Sequence, residues 1–299
     1  VSEPLIRVEG LEKTFAPHSK FGRDAEPVRA VDGVDLKVHA SEMVGLVGES
    51  GSGKTTLGQC LLRMQEPSAG SVDFDGRDLL AVSKQDLAPL RPRMQYIFQD
   101  PYSALNPRLP VADAIGEPLL HHGLATKADV RDRVVSALET AGLDGSAIDR
   151  YPHEFSGGQR QRIVIARAMA LEPEFVVADE PASALDVSIQ AQIINLFSEL
   201  RETRRTAFVF ISHDLGVVEH LCTSVAIMYK GRIVEQGTRD QVFDDPRHPY
   251  THELLAAVPL PDPRQRRRGA SRRVREWDVP RSQRPALADV GDGHLVALP

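Results

Sequence analysis

The spacing of apolar residues divides the chain into recognisable segments. Leu5 to Val8 is apolar-rich, and Val31 to Val38 alternates apolar with polar residues. Period two is the mark of half-buried strands, so these segments predict an antiparallel pair. Between them APHSKFGRDAEP is polar, contains Pro and Gly, and predicts a loop. MVGLVG, from Met43 to Gly48, is an apolar run of strand length, and KTTLGQCLLRM after Gly53 has helical apolar spacing. Val72 to Phe74 and Met94 to Phe98 predict short strands. From about Tyr102 to Leu171 the period becomes helical. Within this stretch, TKADVRDRVVSALETAGL opens with Thr126 as a helix N-cap, has Asp129 three residues on, and closes near Gly142. FVVAD (Phe175 to Asp179) and TAFVFIS (Thr206 to Ser212) are almost wholly apolar, as in strands covered on both faces of a parallel sheet. Val187 to Leu200 predicts an amphipathic helix.

Strands alternating with helices predict an α/β, doubly wound core. The β-rich start predicts an N-terminal antiparallel β-subdomain. The helical stretch predicts an inserted α-helical subdomain over about 100–172. The main domain is expected to span 1–245, with a C-terminal extension over 246–299 that reads as irregular. No internal repeat is visible.

The chemistry begins at Gly48 to Thr55, GESGSGKT, which fits the phosphate-binding pattern GxxxxGK(S/T). Its position between a strand and a helix is the context that such a loop requires. Gly48, Gly51 and Gly53 let backbone N–H groups turn inward as an anion nest. Glu49, Ser50, Ser52 and Thr56 complete the loop. Lys54 supplies a cation for the β- and γ-phosphates, and Thr55 a hydroxyl for Mg²⁺. The core is therefore expected to be a P-loop NTPase (RecA-like) fold.

Further candidates fall in a sensible order around one nucleotide. Asp179 and Glu180 end a buried strand, where ligands of open α/β sheets sit. Asp179 is placed to hold the metal shell, and Glu180 to polarise a water in line with the γ-phosphate. Gln99 ends another strand, where it can reach the metal or the water. His213 follows TAFVFIS, where an imidazole can donate to the γ-phosphate.

At FSGGQ the chain resembles ATP-binding-cassette (ABC) ATPases, because SGGQRQRIVIARAM is similar to their signature motif. Ser156, Gly157, Gly158 and Gln159 open a helix, and the resemblance implies that they face the phosphate loop of a second subunit. The full order is present: phosphate loop, Gln99, signature, Asp179-Glu180, the SALD turn and His213. The resemblance covers Leu5 to about Pro261. It also implies that Asp186 lines the dimer interface and that Phe15 stacks on adenine, with Phe21 as a competitor. FQDPYSALNPRLPV, RYPHEFSGGQRQRI, DEPASALDVSIQAQ and HPYTHELLAAVPLPDP resemble more narrowly the ATPase subunits of oligopeptide, dipeptide and nickel importers. The implied activity is ATP hydrolysis that drives peptide uptake. Uptake of nickel or another small solute is the first alternative, and a non-transport ATPase acting on nucleic acid the second. The implied cofactors are ATP and Mg²⁺. The implied partners are a second ATPase subunit, a related chain in preference to an identical one, two membrane-spanning permease subunits and an extracytoplasmic solute-binding protein.

Composition narrows these readings. Hydrophobics at 41% and charged residues at 26% suit a globular protein with a real core. No apolar run approaches the roughly 18 residues that cross a bilayer, and VSEPLIRVEG lacks the pattern of a secretory signal. Any link to a membrane is therefore expected to come through partners, and the resemblance implies a peripheral place on the cytoplasmic face of the membrane. Arg264 to Arg284 holds nine arginines against Glu276 and Asp278, yet the chain has a net charge of -6. An acidic body with a basic tail argues against a dedicated nucleic-acid binder. Subunits of the resembled type commonly ligate an iron–sulfur cluster through C-terminal cysteines. Cys60 and Cys222 are the only cysteines here, so no cluster is expected.

Overall fold

The computed structural model describes residues 3–16, 27–183, 185–257 and 285–298. Most of the loop over 16–27, Phe21 within it and the arginine-rich stretch over 264–284 lie outside the described residues. The elements run β1 (Ile6–Phe15), β2 (Val28–Val38), β3 (Met43–Val47), α1 (Lys54–Leu61), β4 (Ala69–Phe74), β5 (Arg77–Asp78), α2 (Lys84–Leu87) and β6 (Met94–Ile97). The helical insertion follows as α3 (Pro101–Ala104), α4 (Val111–His121), α5 (Val130–Thr140) and α6 (Gly157–Met169). Next come β7 (Phe175–Asp179), α7 (Val187–Thr203), β8 (Ala207–Ser212), α8 (Leu215–Leu221), β9 (Ser224–Tyr229) and β10 (Arg232–Thr238). The chain closes with α9 (Arg239–Asp244), α10 (Pro249–Ala256), β11 (Ala288–Asp289) and β12 (Leu295–Val296).

Two sheets result. The smaller is antiparallel, in the order β2-β1-β4-β5. The larger has the order β11-β12-β10-β9-β3-β8-β7-β6. Its members β9, β3, β8, β7 and β6 are mutually parallel. This is the α/β P-loop fold expected from the sequence, with its antiparallel β-subdomain and inserted helices.

The wholly apolar strands have a direct explanation. Phe208 and Phe210 of β8 face one hydrophobic core, which they share with the inserted helices, α7 and α8. Val209 and Ile211 face a second core, shared with α1 and the β-subdomain. A strand between two cores has no polar face, so alternation disappears. α5 starts later than expected. Thr126 donates its amide and hydroxyl to Asp129 Oδ1, and regular helix begins at Val130.

The described parts of the extension beyond residue 245 form regular elements that its composition does not suggest. Pro249 stands in the first turn of α10, where a missing N–H costs nothing. β12 pairs antiparallel with β10 through Glu235–Val296 and Gln236–Leu295. Strands of two residues give no periodic signal, and their pairing partners lie far away in sequence. Residues 285–298 are thus built into the edge of the main sheet.

Candidate active site

The phosphate loop leaves the end of β3, whose five residues are all buried, and enters α1 at Lys54. Two glycines leave no room for a side chain. A Cβ on Gly48 would lie 2.1 Å from the carbonyl oxygen of Met228, and one on Gly53 would lie 2.0 Å from that of Ala30. Gly53 also has φ of +106°, which L residues rarely adopt. The loop is braced by the β9–β10 turn, where the Gly231 amide donates to the Ser52 carbonyl at 2.9 Å.

Lys54 folds back over this loop. Its Nζ donates to the carbonyls of Gly48 at 2.7 Å and Glu49 at 2.9 Å, with Ser52 Oγ at 3.4 Å. Burial holds its pKa below the usual lysine value, while Glu180, Asp179 and Glu49 pull it upward. An ammonium with no carboxylate in hydrogen-bond range among the described residues, facing a cleft, is poised for an incoming anion.

Asp179 ends β7 and Glu180 follows it, beside the loop. Thr55 Oγ1 donates to Asp179 Oδ1 at 3.2 Å, and the Tyr96 hydroxyl donates to Oδ2 at 2.7 Å. Burial pushes the Asp179 carboxyl above its ordinary pKa, against the lowering effect of these two hydroxyls. Glu180 has φ of 44°, an unusual backbone state for a non-glycine residue. Its amide donates to the Ile211 carbonyl at 3.0 Å, and its own carbonyl accepts from the Ser183 amide at 3.2 Å. These bonds aim its side chain into the cleft. There Gln99 Nε2 lies 3.1 Å from Oε2, and His213 Nδ1 lies 3.1 Å from the same oxygen.

The result is a cleft of about 590 Å³. Ser50, Gly51, Gly53, Lys54, Thr55 and Thr56 line it from the loop and α1, opposite Gln99, Glu180 and His213. Gly48, Glu49 and Ser52 form the back of the loop. Asp179 reaches the cleft through Thr55. Residues 124 to 33 positions apart in sequence are brought together here.

Four signature residues and two others lie elsewhere. Ser156 is the N-cap of α6. Its Oγ accepts from the Gln159 amide at 3.3 Å, and Gln159 Oε1 accepts from the Ser156 amide at 3.0 Å. This reciprocal capping box explains the Ser and the Gln at that spacing. Gly158 has no space for a Cβ, which would meet Ile189 Cγ2 at 2.2 Å. Gly157 and Gly158 open the helix, and none of the four lines the cleft. Asp186 is exposed and stands at the N-cap of α7. Phe15 is also exposed, at the end of β1 opposite Val28, with Lys13 Nζ 5.1 Å from its ring centre. The structure does not place Phe15 in the cleft lining.

Three contributors were not singled out from the sequence. Tyr96 looks like an ordinary strand residue, yet its hydroxyl holds Asp179. Ser183 Oγ lies 3.3 Å from Gln99 Nε2. Tyr250, in the HPYT stretch, accepts a hydrogen bond from the Glu49 amide at 3.1 Å. Only the unusual HPYT tetrapeptide marked that last region in advance.

Comparison with known proteins agrees with this geometry. Residues 31–183 match the ABC transporter family, and residues 234–279 match the oligopeptide/dipeptide transporter C-terminal region. A Brucella ovis protein provisionally named a peptide import ATP-binding protein is 47% identical over 282 residues, covering 94% of this chain and 86% of that protein. A glutathione import ATP-binding protein of Salmonella paratyphi A is 47% identical over 99% of this chain, which spans 49% of that longer protein. Among solved structures, a dimeric ATP-binding cassette in a post-hydrolysis state with ADP and Pi superposes with a TM-score of 0.69 at 26% identity, covering 78% of this chain and 98% of that one. The chain belongs to the ABC transporter family of ATP-binding cassettes.

Proposed function

We propose that this chain is the ATP-hydrolysing subunit of an ABC importer that takes up peptides. The observation that carries the reading is the Lys54–Thr55–Asp179–Glu180 constellation in one cleft, joined to a C-terminal region of the oligopeptide/dipeptide type. The names of the Brucella and Salmonella relatives support the same cargo class.

The geometry supports the following residue roles. Backbone amides of the loop and the Lys54 ammonium bind the β- and γ-phosphates. Glu180 polarises the attacking water, with Gln99 and His213 holding its carboxylate. His213 is exposed enough to swing from Glu180 to the γ-phosphate. Among the described residues, the side chain of buried Asp179 has only hydroxyl partners at hydrogen-bond distance, and it shares Oδ1 with Thr55, a donor set that suits a hard divalent cation. Thr55 and Asp179 would hold Mg²⁺, with Gln99 in reach. When bound, Mg²⁺ neutralises charge on the phosphate oxygens. Catalysis then rests on positioning and charge stabilisation.

Ser156, Gly157, Gly158 and Gln159 lie outside their own chain's cleft, so they serve the γ-phosphate of a second ATPase subunit. Asp186 lies in the same interface, and Phe15 stacks on the adenine. The related cassette solved as a dimer supports a two-subunit sandwich. A groove of about 1070 Å³ separates β6, the strand that leads to Gln99, from α3 and α4. The inserted helices pass nucleotide-driven movement through this region to two permease subunits, on the cytoplasmic face of the membrane. No helix among the described residues is long and apolar enough to cross a membrane, so the permeases supply the spanning segments. A solute-binding protein delivers the peptide from outside.

The test is uptake by the assembled importer in vesicles. Radiolabelled di- and oligopeptides should accumulate only when ATP is present on the side that holds this chain. Normal peptide uptake by vesicles lacking this chain would refute the reading.

A further inference from the structure

The C-terminal extension reaches the phosphate loop through the Tyr250 hydroxyl. The Tyr250 oxygen accepts from the Glu49 amide at 3.1 Å, across 201 residues of sequence. The same peptide unit carries the Gly48 carbonyl, which accepts from Lys54 Nζ at 2.7 Å. In a trans peptide the N–H and C=O point in opposite directions. One peptide plane is therefore held from behind by Tyr250 and in front by Lys54.

Tyr250 is itself fixed. It is 1% exposed, and its ring packs 4.5 Å from that of Tyr229 on β9. Its amide donates to Nδ1 of His248, the N-cap of α10. The start of α10 is fastened by Glu235 of β10, which is fully buried. Glu235 Oε1 accepts from the Arg247 amide at 2.8 Å, and Oε2 from the His248 amide at 3.0 Å. On the other side Oε1 lies 2.8 Å from Nε2 of His294, next to β12. One buried carboxylate thus ties together the HPYT segment and the last strand of the chain. A buried charge with this many partners holds a single geometry, because losing any partner leaves a desolvated charge behind.

We propose that Tyr250 is a positioning residue for ATP binding: its hydroxyl holds the Gly48–Glu49 peptide in the orientation that sets Lys54, and Glu235 anchors the segment that presents it. This rests on the reading of the cleft as the nucleotide site. The C-terminal region is then a brace for the phosphate loop as well as an appendage. A pre-set loop lowers the ordering cost of binding. Once ATP is bound, the phosphates themselves hold the loop. Loss of the brace should therefore appear in affinity and KM, with little change in kcat.

The experiment compares the full-length wild type with Tyr250→Phe and Lys54→Ala. Tyr250→Phe removes one oxygen and keeps the ring. ATP affinity is expected to fall about 3- to 10-fold, the loss of one hydrogen bond, with kcat within about twofold. Hydrogen exchange of the peptide spanning the loop should quicken, while exchange in β7 and β8 is unchanged. A packing role for the ring alone would move neither affinity nor loop exchange in this variant. Wild-type affinity and loop exchange in Tyr250→Phe would overturn the brace. Lys54→Ala separates the two claims. If Lys54→Ala loses ATP and Tyr250→Phe does not, the brace alone fails. If Lys54→Ala binds ATP normally, the nucleotide site is wrong and the brace falls with it.

Discussion

Nδ1 of His213 lies 3.1 Å from Oε2 of Glu180, although 33 residues separate them. Gln99 approaches that same oxygen. Among the described residues, no hydrogen bond reaches the other oxygen, Oε1. Two groups from two different strand ends therefore orient one carboxylate and leave its second oxygen for a water. The left-handed backbone at Glu180 is the means, since it turns the side chain out of the strand direction and into the cleft. Such backbone states cost on the order of 1–3 kcal/mol and persist where the surroundings enforce them. Here the Ile211 carbonyl and the Ser183 amide do so.

Ser156→Arg tests the division of labour between two subunits. The substitution removes a cap, at a cost of about 1 kcal/mol to α6, and places a bulky cation at the helix start. ATP affinity of the isolated chain should stay within about twofold of wild type, because its own phosphate loop is untouched. ATPase activity of the assembled transporter should fall by more than about tenfold. Equilibrium nucleotide binding and steady-state hydrolysis measure the two. Loss of ATP binding by the isolated chain would place the signature in its own cleft.

The first helix turn and the site around it were legible in the sequence for a physical reason. GESGSGKT, FVVADE and SGGQ act locally: each places its functional atoms by its own backbone, at a strand end or a helix start. Tyr96 and Tyr250 act at a distance. Their partners, Asp179 and Glu49, lie 83 and 201 residues away, and no local pattern records such a pairing. The large parallel strands were legible because burial on two faces leaves continuous apolar runs. β11 and β12 were not, since two-residue strands at a sheet edge carry no period. Phe15 was assigned to adenine from resemblance alone, and the structure leaves it outside the cleft lining.

Acid should weaken the fold through His248. Burial lowers its pKa to about 4, against the raising effect of nearby Glu235, while His252 lowers it further. The unfolded chain takes up this proton near pH 6.5, and the folded chain only near pH 4. Between these values the unfolded state binds more protons, so stability falls as pH drops through that window. The slope approaches about 1.4 kcal/mol per pH unit for this one group. His248→Asn keeps an N-cap acceptor and does not titrate. Chemical denaturation from pH 7 to pH 4 should show a flatter decline in the variant than in the wild type. Parallel declines would remove His248 as the cause.

Removing residues 285–299 should destabilise the folded domain. The deletion strips β12 from the edge of β10 and takes His294 from buried Glu235. Leaving a buried polar group short of a partner costs about 1–3 kcal/mol, and more where the group is charged. Thermal unfolding of the truncated chain should therefore begin several degrees below wild type. An unchanged melting midpoint would show that this segment adds nothing to the stability of the domain.

Glu180→Gln gives the most direct measurement of the central claim, that this cleft hydrolyses ATP with Glu180 activating the water. Glutamine keeps the size and polarity of the side chain but cannot take a proton. The transporter assembled with this variant should bind ATP as tightly as wild type. After one hour with radiolabelled ATP and Mg²⁺, the nucleotide recovered from the protein should be intact ATP, with turnover lowered by about 10²- to 10⁴-fold. Release of phosphate at the wild-type rate would contradict the assignment of Glu180, and with it the proposed chemistry of the cleft.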